Sequence, residues 1–506
     1  MIERNVVSKD FRNMLRVALV YPNYYRVGMS NLGFQILYTL LNSLEGVYAE
    51  RFFLDIPKSL ETGSRLKNFD IIAFTWQFEL DALNILEMLH RDGIPLRRVG
   101  REQTVIVGGP CAFNPFPLAN FVDFFFIGEA EANLLSFIQT FTEGDRESLT
   151  DIPGIYSPEE DNNTKRVYLE NLDDFYPVTQ VMSPESAFGE TFLLEVSRGC
   201  KRGCRFCMSG YTFRPYRYRS LEGLMRIADE GIKINAPKKI SLLGASVSDY
   251  PYIDELCNYL STKGLELSIP SLRADSLSPA IVEALVRTGQ RSITLAPEST
   301  ERVRIFMNKP ITDEDLYRAV KMATMRGIKN IKLYFIIGTP AETPEDIAGI
   351  VALIKKLRRI SKKLRLSVNP LVPKPHTPFQ WLGMEDSRRL KEKLKVLREA
   401  HVWMEVEDLK SAHLQATIAM GDKRLSNILE KAFYYGKGMG AFRKAFKEEG
   451  LDFNYYIRGR EPSEPLPWDK IDVGVRKSYL ITEYEKSLRG EVSPGCNDSC
   501  RACGVC

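Results

Sequence analysis

Phe192-Leu-Leu-Glu-Val-Ser-Arg-Gly-Cys200-Lys-Arg-Gly-Cys204-Arg-Phe-Cys207 sets a β-type apolar run directly in front of a short loop with three cysteines. The run from Phe192 to Val196 reads as a strand, and sites in parallel α/β barrels collect at the strand carboxyl ends, where this loop falls. Three thiolates on one loop can hold three irons of a cubic 4Fe-4S cluster and leave the fourth iron open to a ligand. A zinc site would ask for a fourth ligand close by. The metal ligands expected here are Cys200, Cys204 and Cys207.

Working outward from that strand, further strand candidates recur at Lys239 to Leu243, Glu266 to Pro270, Ser292 to Ala296, Asn330 to Ile337 and Leu364 to Asn369. Helical stretches such as Leu221 to Ile232 and Pro279 to Thr288 separate them. Six β/α units predict a partial parallel (β/α)6 barrel over residues 190–385. Upstream, Val17 to Tyr21, Ile71 to Thr75, Thr104 to Gly108 and Asp123 to Ile127 read as strands buried on both faces. Helical periodicity over Leu32 to Leu44, Glu79 to His90 and Glu129 to Phe141 lies between them, which predicts a doubly wound parallel sheet over residues 1–150. Residues 151–189 form a polar linker, and residues 386–506 a charged, mainly helical C-terminal extension. The fold class is therefore α/β throughout, with that extension appended.

Composition bounds the rest. With 44% hydrophobic and 26% charged residues, 506 residues describe a globular protein of two or three domains. Lys and Arg exceed Asp and Glu by four, so there is no general nucleic-acid or membrane signal. No apolar h-region follows Met1-Ile-Glu-Arg-Asn, and no apolar run reaches the ~18 residues of a spanning helix, so a cytoplasmic location is expected. Seven of nine cysteines fall in two short clusters, a metal-ligand pattern rather than a disulfide framework. Cys111 and Cys257 read as buried inert thiols.

The second cluster, Cys496, Cys500, Cys503 and Cys506, repeats the C-x3-C-x2-C spacing and adds a fourth ligand. It suits a second 4Fe-4S cluster or a zinc ion, as an electron entry route or a structural pin. Six basic residues between Lys201 and Arg219 suit charge compensation around an anionic cluster, or an anionic substrate. His376, in a loop stiffened by three prolines, is the candidate catalytic acid or base, with a structural hydrogen bond as the alternative.

The first cysteine loop, with Phe206 before its last cysteine, resembles the signature of radical S-adenosylmethionine enzymes. That resemblance implies that the open iron chelates S-adenosylmethionine and that one electron cleaves the sulfonium to a 5′-deoxyadenosyl radical. It assigns Gly244, Ser246 and Ser248 to the methionine amino group, although the acid of the usual Gly-Gly-Glu-like segment is missing here. Ser271 and Arg273 fall to the methionine carboxylate, Glu298 to the ribose or amino group, and Gly338 to the adenine. Pro22 to Gly28, Gly108-Gly109-Pro110 and Gly128-Glu129, placed before such a barrel, resemble the cobalamin-binding domain of cobalamin-dependent radical enzymes. The contacts implied are Tyr24, Gly28, Gly108, Gly109, Gly128 and Glu129. No Asp-x-His-x-x-Gly occurs to place a histidine beneath cobalt, which leaves Tyr24, Tyr25 or Arg26 to cover that face.

Val372 to Trp381, Pro467 to Gly474 and the cysteine tail are similar to an uncharacterised fused subgroup. The resemblance implies methyl transfer to an unactivated carbon, with electrons from a reductase or from a flavodoxin or ferredoxin donor. The substrate, a small molecule or a modified macromolecule, is not legible. Alternatives are a cobalamin-assisted rearrangement or ring formation, methylthio transfer, or a non-catalytic iron-sulfur redox protein. Methylthio transferases carry three cysteines in the N-terminal domain, where this chain has Cys111 alone.

Overall fold

Period-two alternation decides how the first sheet is covered. In β1 (Leu15–Tyr21), Val17, Leu19 and Tyr21 join one core while Ala18 and Val20 join another. The computed structural model, which describes residues 2–497 and 499–505, continues this sheet with β2 (Val47–Phe53), β3 (Ile71–Thr75), β4 (Thr104–Gly108) and β5 (Phe124–Phe126). These five strands are parallel in the order β2-β1-β3-β4-β5, and the short β6 (Ile155–Tyr156) adds antiparallel at the edge. Helices Leu32–Ser43 and Leu134–Thr142 cover one face through Phe34, Tyr38, Leu41 and Phe137.

Helix Asp81–Arg91 lies on the other face, and the C-terminal helices Leu425–Tyr435 and Met439–Glu448 share that core through Leu425, Leu429, Phe442 and Phe446. The extension read as an appendage thus completes the packing of the first sheet.

β2 is absent from the sequence-based reading because Glu50 and Arg51 interrupt its apolar run. Both are fully buried. Glu50 pairs with Arg16 at 2.5 Å, and Arg51 with Glu61 at 2.6 Å and Glu3 at 2.8 Å. Burying such charges costs several kcal/mol per ion unless each is paired, and here each is.

The second sheet begins with β7 (Thr191–Glu195), β8 (Lys239–Leu243) and β9 (Glu266–Ser268), parallel in the order β9-β8-β7. It continues as β10 (Ser292–Glu298), β11 (Asn330–Ile337), β12 (Leu364–Pro370) and β13 (Trp403–Val406). A parallel bridge between Leu272 and Leu295 joins the two halves. Helices between the strands start on firm signals: Thr312 with Asp315 and Thr343 with Asp346 form capping boxes.

β13 is a seventh parallel strand where six were expected. It follows a highly charged helix and leaves Trp403 60% exposed, so neither an apolar run nor a buried face marks it. Among the described residues no helix is long and apolar enough to cross a membrane.

Candidate functional site

The carboxyl ends of the two sheets face each other across a cavity of about 430 Å³. Its walls come from Gly108, Gly109 and Gly128 to Glu131 on one side, and from Glu195, Ser197 to Gly199 and Gly244 on the other. An apolar arm runs on between the first sheet and its helices, lined by Leu19, Ile36, Leu41, Ile106 and Leu134. Two wall glycines are required by geometry. Gly109 has φ +104°, and a Cβ there would stand 2.8 Å from the Trp76 carbonyl oxygen. Gly128 has φ +123°, and a Cβ would meet the Val167 carbonyl oxygen at 2.1 Å.

A buried charge network ties the walls together. Arg198 Nη1 donates to Glu129 Oε2 at 2.9 Å, Nη2 to Glu131 Oε1 at 2.6 Å and Nε to Glu195 Oε1 at 2.8 Å. Arg217 donates to Glu129 Oε1 at 2.6 Å. Burial pushes the Glu129 carboxyl up, but the Arg217 hydrogen bond and the charges of Arg198 and Arg217 outweigh it and hold the group below its ordinary value.

The cysteine loop leaves β7 through Ser197-Arg198, which pairs antiparallel with Arg217-Tyr218. It is pinned from beneath: Arg205 N donates to Met307 O at 2.9 Å and Asn308 Nδ2 to Gly203 O at 3.0 Å. Burial raises the Cys200 thiol to about 12; a hydrogen bond from the Arg202 backbone opposes this, while Cys207, Cys204 and Asp249 add to it. The three thiols therefore share one neighbourhood. Cations ring it. Arg202 pairs with Asp249 at 2.5 Å, Arg273 acts on Cys204, and Lys309 acts on Cys207 while pairing with Glu298 at 2.7 Å.

Among the described residues no three His, Cys, Asp or Glu side chains form a group that could share one metal ion. A cubic cluster makes no such demand, since each thiolate takes its own iron, and a half-buried tri-thiol loop ringed by cations fits that donor set.

The expected S-adenosylmethionine residues divide. Gly244 lines the cavity. Ser246 donates to Asp249 at 2.7 Å, and Ser248 Oγ accepts from Arg273 N at 3.3 Å, so both serve the shell that holds Arg202 and Arg273. Glu298, at φ +66°, sits at the end of β10 beside Lys309, and Phe206 packs against Val303, Phe306 and Met307. Ser271 is exposed. Gly338, at φ +91°, donates to Glu342 at 2.8 Å and faces Leu390 rather than the cavity.

Three expectations need correction. Tyr24 and Gly28 do not line the cavity: Tyr24 is 55% exposed, and Gly28 packs beneath the Phe53 ring, which a Cβ would meet at 2.5 Å. Tyr25, buried and hydrogen-bonded to Glu3 at 2.7 Å, and the exposed Arg26 also point elsewhere; Asn31 and Gln77 occupy the corresponding wall. His376 is the second. Its Nε2 donates to the Phe113 carbonyl at 2.9 Å, it is not among the cavity-lining residues, and burial depresses it to about 4, which favours the structural hydrogen bond over the catalytic role. The third concerns the basic run. Arg202, Arg205, Arg217 and Arg219 pair with Asp249, Glu483, Glu129 and Glu195, so of the two readings their pairing disfavours an anionic-substrate site and leaves charge compensation.

In the tail, Cys503 is 4% exposed and Cys496 N donates to the Lys201 carbonyl at 2.7 Å, which brings the second cysteine cluster against the first. Cys506 lies outside the described residues. Sequence reasoning missed this contact, and it missed Arg198, Glu131, Phe213, Asn31 and Gln77 in the cavity wall. The glycine before Cys200 was the one available signal for the wall, because Gly199 has φ +72° and Phe213 O would stand 2.3 Å from a Cβ there.

A tri-thiol loop at the mouth of a parallel barrel, set against a doubly wound sheet, defines a radical S-adenosylmethionine enzyme. Residues 33–158 match the N-terminal region of radical SAM proteins and residues 194–354 the radical SAM superfamily. The chain belongs to this superfamily, in the family of the uncharacterized protein MJ0966 of Methanocaldococcus jannaschii. The two are 37% identical over 450 residues, 87% of this chain and 96% of the relative. Among solved structures, the fold is similar to the radical S-adenosylmethionine methyltransferase TsrM from Kitasatospora setae with cobalamin and a [4Fe-4S] cluster bound. That match has a TM-score of 0.54 and 15% identity, and covers 86% of this chain and 100% of TsrM. It is equally similar to the cobalamin-dependent radical enzyme OxsB with aqua-cobalamin and S-adenosylmethionine bound, at TM-score 0.54 and 14% identity, covering 94% and 80%.

Proposed function

We propose that this enzyme is a cobalamin-dependent radical S-adenosylmethionine methyltransferase acting on an unactivated carbon. The observation that carries the reading is the shared cavity, whose glycine-rich wall on the first sheet faces Gly199, the residue before Cys200. Two flat or bulky groups, one on each wall, would there be held face to face in a largely apolar enclosure. TsrM and OxsB, which share the fold, both hold cobalamin.

When bound, the cluster at Cys200, Cys204 and Cys207 supplies the electron that cleaves S-adenosylmethionine, and cobalamin carries the methyl group. The chain does the positioning. Gly109 and Gly128 let the backbone approach a corrin without side chains between. The apolar arm between the first sheet and helix Leu32–Ser43 suits a planar base such as the nucleotide end of cobalamin. Arg198, held by carboxylates of both walls, fixes their separation. Among the described residues no histidine lines the cavity, and Asn31 and Gln77 are polar side chains of the first-sheet wall that would face a bound corrin. Cys111, the one cysteine among residues 1–150, lines a separate recess with Glu79 and Asn114, and the lack of three thiols in that domain argues against methylthio transfer.

The test is anaerobic reconstitution with iron, sulfide and hydroxocobalamin, then reduction in the presence of methyl-labelled S-adenosylmethionine. Stoichiometric corrin retention with label leaving the donor supports the reading. Retention of cobalamin with only 5′-deoxyadenosine and unlabelled product favours the rearrangement alternative, and no cobalamin retention at all refutes both.

A further inference from the structure

The C-terminal cysteines do not lie apart from the barrel. Cys496 N donates to the carbonyl of Lys201, the residue after Cys200, at 2.7 Å, and a Cβ on Gly495 would stand 2.9 Å from that same oxygen. Just upstream, Ser493 N donates to Asn308 Oδ1 at 2.8 Å while Asn308 Nδ2 holds Gly203 O at 3.0 Å, so one asparagine clasps both segments. Arg205, between Cys204 and Cys207, reaches back to Glu491 O at 2.8 Å and pairs with Glu483 at 3.1 Å. Further on, Arg476 binds the knuckle from below, its N donating to Cys503 O at 2.9 Å and its Nη2 to Ala502 O at 2.8 Å. Gly504 follows at φ +90°, pressed onto the Arg476 side chain.

Charge provides an independent indication. Two arginines are buried beneath this tail, and neither has a carboxylate partner among the described residues. Arg214, 2% exposed, lies over the rings of Tyr211 and Tyr479 at 4.9 and 5.4 Å and donates from Nε to Gly210 O at 2.6 Å. After burial itself, the strongest influences on it are Tyr479 and Cys496. Arg166, 5% exposed, is bonded to the Val473 and Arg214 carbonyls, and its Nη1 has no partner. The same guanidinium and the Val505 side chain flank Gly474, at 3.9 and 3.6 Å from a Cβ placed there. Glu129 and Asp472 act on Arg166 without forming an ion pair with it, so positive charge beneath the tail remains that a nearby anion would offset. A thiolate-ligated iron-sulfur cluster is such an anion.

We propose that Cys496, Cys500 and Cys503 ligate a second iron-sulfur cluster seated against the loop of Cys200, Cys204 and Cys207, and that it relays electrons to that loop. By its spacing, Cys506 offers a fourth thiolate. The overlapping C-x3-C-x2-C spacing matches the tri-thiol loop of the barrel and favours a cube, in which each thiolate takes its own iron, over a lone zinc. In the relay, a low-potential one-electron donor of the flavodoxin or ferredoxin class is oxidised by one electron, and the tail cluster is reduced by one. The tail cluster then returns to its starting state as the barrel cluster takes the electron.

The binding site stands on its own residues, whereas the relay rests on the radical reading above. The experiment supplies ferrous iron and sulfide anaerobically to the full chain and to Cys200→Ala/Cys204→Ala/Cys207→Ala. About four irons and four sulfides per chain, with a reduced-cluster EPR signal, are expected to remain in the triple variant and to vanish on adding Cys500→Ser. Should the triple variant not fold, Cys500→Ser in the otherwise intact chain decides, by a fall from about eight irons to about four. A wild-type count of about four irons, or zinc in the tail, overturns the second cluster and leaves the radical reading intact. For the relay, Cys500→Ser is expected to lose 5′-deoxyadenosine formation at least tenfold with reduced flavodoxin but to keep it with dithionite. Equal losses with both donors, or none, overturn the relay. Failure of the wild-type protein to cleave S-adenosylmethionine while it retains tail iron overturns the radical reading instead.

Discussion

Arg198, two residues before Cys200, donates to Glu129 at 2.9 Å across the seam between the first sheet and the barrel. The same guanidinium holds Glu131 and Glu195, so one side chain spans three carboxylates from two sheets. Because the loop to Cys200 begins at this arginine, the distance between the cavity walls is set by ion pairing as well as by packing.

Arg198→Met is expected to destabilise the protein by about 3 kcal/mol, since it leaves buried carboxylates short of a partner. Arg198→Lys should recover only part of this, because its three donors sit on one nitrogen and cannot span carboxylates that Arg198 reaches with Nε, Nη1 and Nη2. Urea unfolding of the three proteins under anaerobic conditions checks the order wild type, Lys, Met.

Gly128→Ala and Gly144→Ala both place alanine at positive φ, at +123° and +83°. Only the first drives a Cβ into backbone, at Val167 O, while nothing lies within 4 Å of the second. Gly144→Ala should cost about 1 kcal/mol and Gly128→Ala at least about twice that, with loss of corrin retention in the latter alone. Thermal unfolding and absorbance after gel filtration give both readouts.

Lys309→Met removes a cation that acts on Cys207 and leaves Glu298 buried beside it. Adding an electron to the barrel cluster then becomes harder. Its potential should fall by on the order of 100 mV, as expected for a unit charge at a few ångströms in an effective dielectric of about 20. EPR-monitored redox titration measures this, and an unchanged potential would refute the placement of Lys309 next to the cluster.

His376 titrates near 4 in the folded protein because burial disfavours its charge, against an ordinary value of 6.5. Below pH 6.5 the unfolded chain binds a proton that the folded chain refuses, so stability declines as pH falls from 6.5 to 4. The loss at the acid end is about 3 kcal/mol. His376→Gln should flatten that decline relative to wild type while leaving S-adenosylmethionine cleavage unchanged, which unfolding curves at pH 7.0 and 5.5 with matched activity assays will show.

Ile71 to Thr75 was legible because burial on both faces leaves an apolar run, and Asn330 to Ile337 because alternate burial leaves a period-two pattern. β2 was not, because its solution to burial is ionic: Glu50 and Arg51 look like surface residues until Arg16, Glu3 and Glu61 are brought to them from elsewhere in the chain. The site followed the same division. Cysteine spacing is local and readable, and so are Gly109 and Gly128, whose backbone conformations exclude other residues. Arg198 and the meeting of Lys201 with Cys496 depend on contacts between segments distant in the chain, and no short-range pattern encodes them. Tyr24 and Gly28 misled because a turn after β1 can present its residues to either side, and here the Phe53 ring claims Gly28.

The helices Leu425–Tyr435 and Met439–Glu448 roof the face of the first sheet that carries Val105 and Val107. During synthesis that face must therefore wait, bare and adhesive, while some three hundred further residues leave the ribosome (roughly fifteen to sixty seconds at bacterial-type elongation rates). Chaperone dependence is the expected result, and a nascent chain halted after the barrel should bind a holdase that the finished protein ignores.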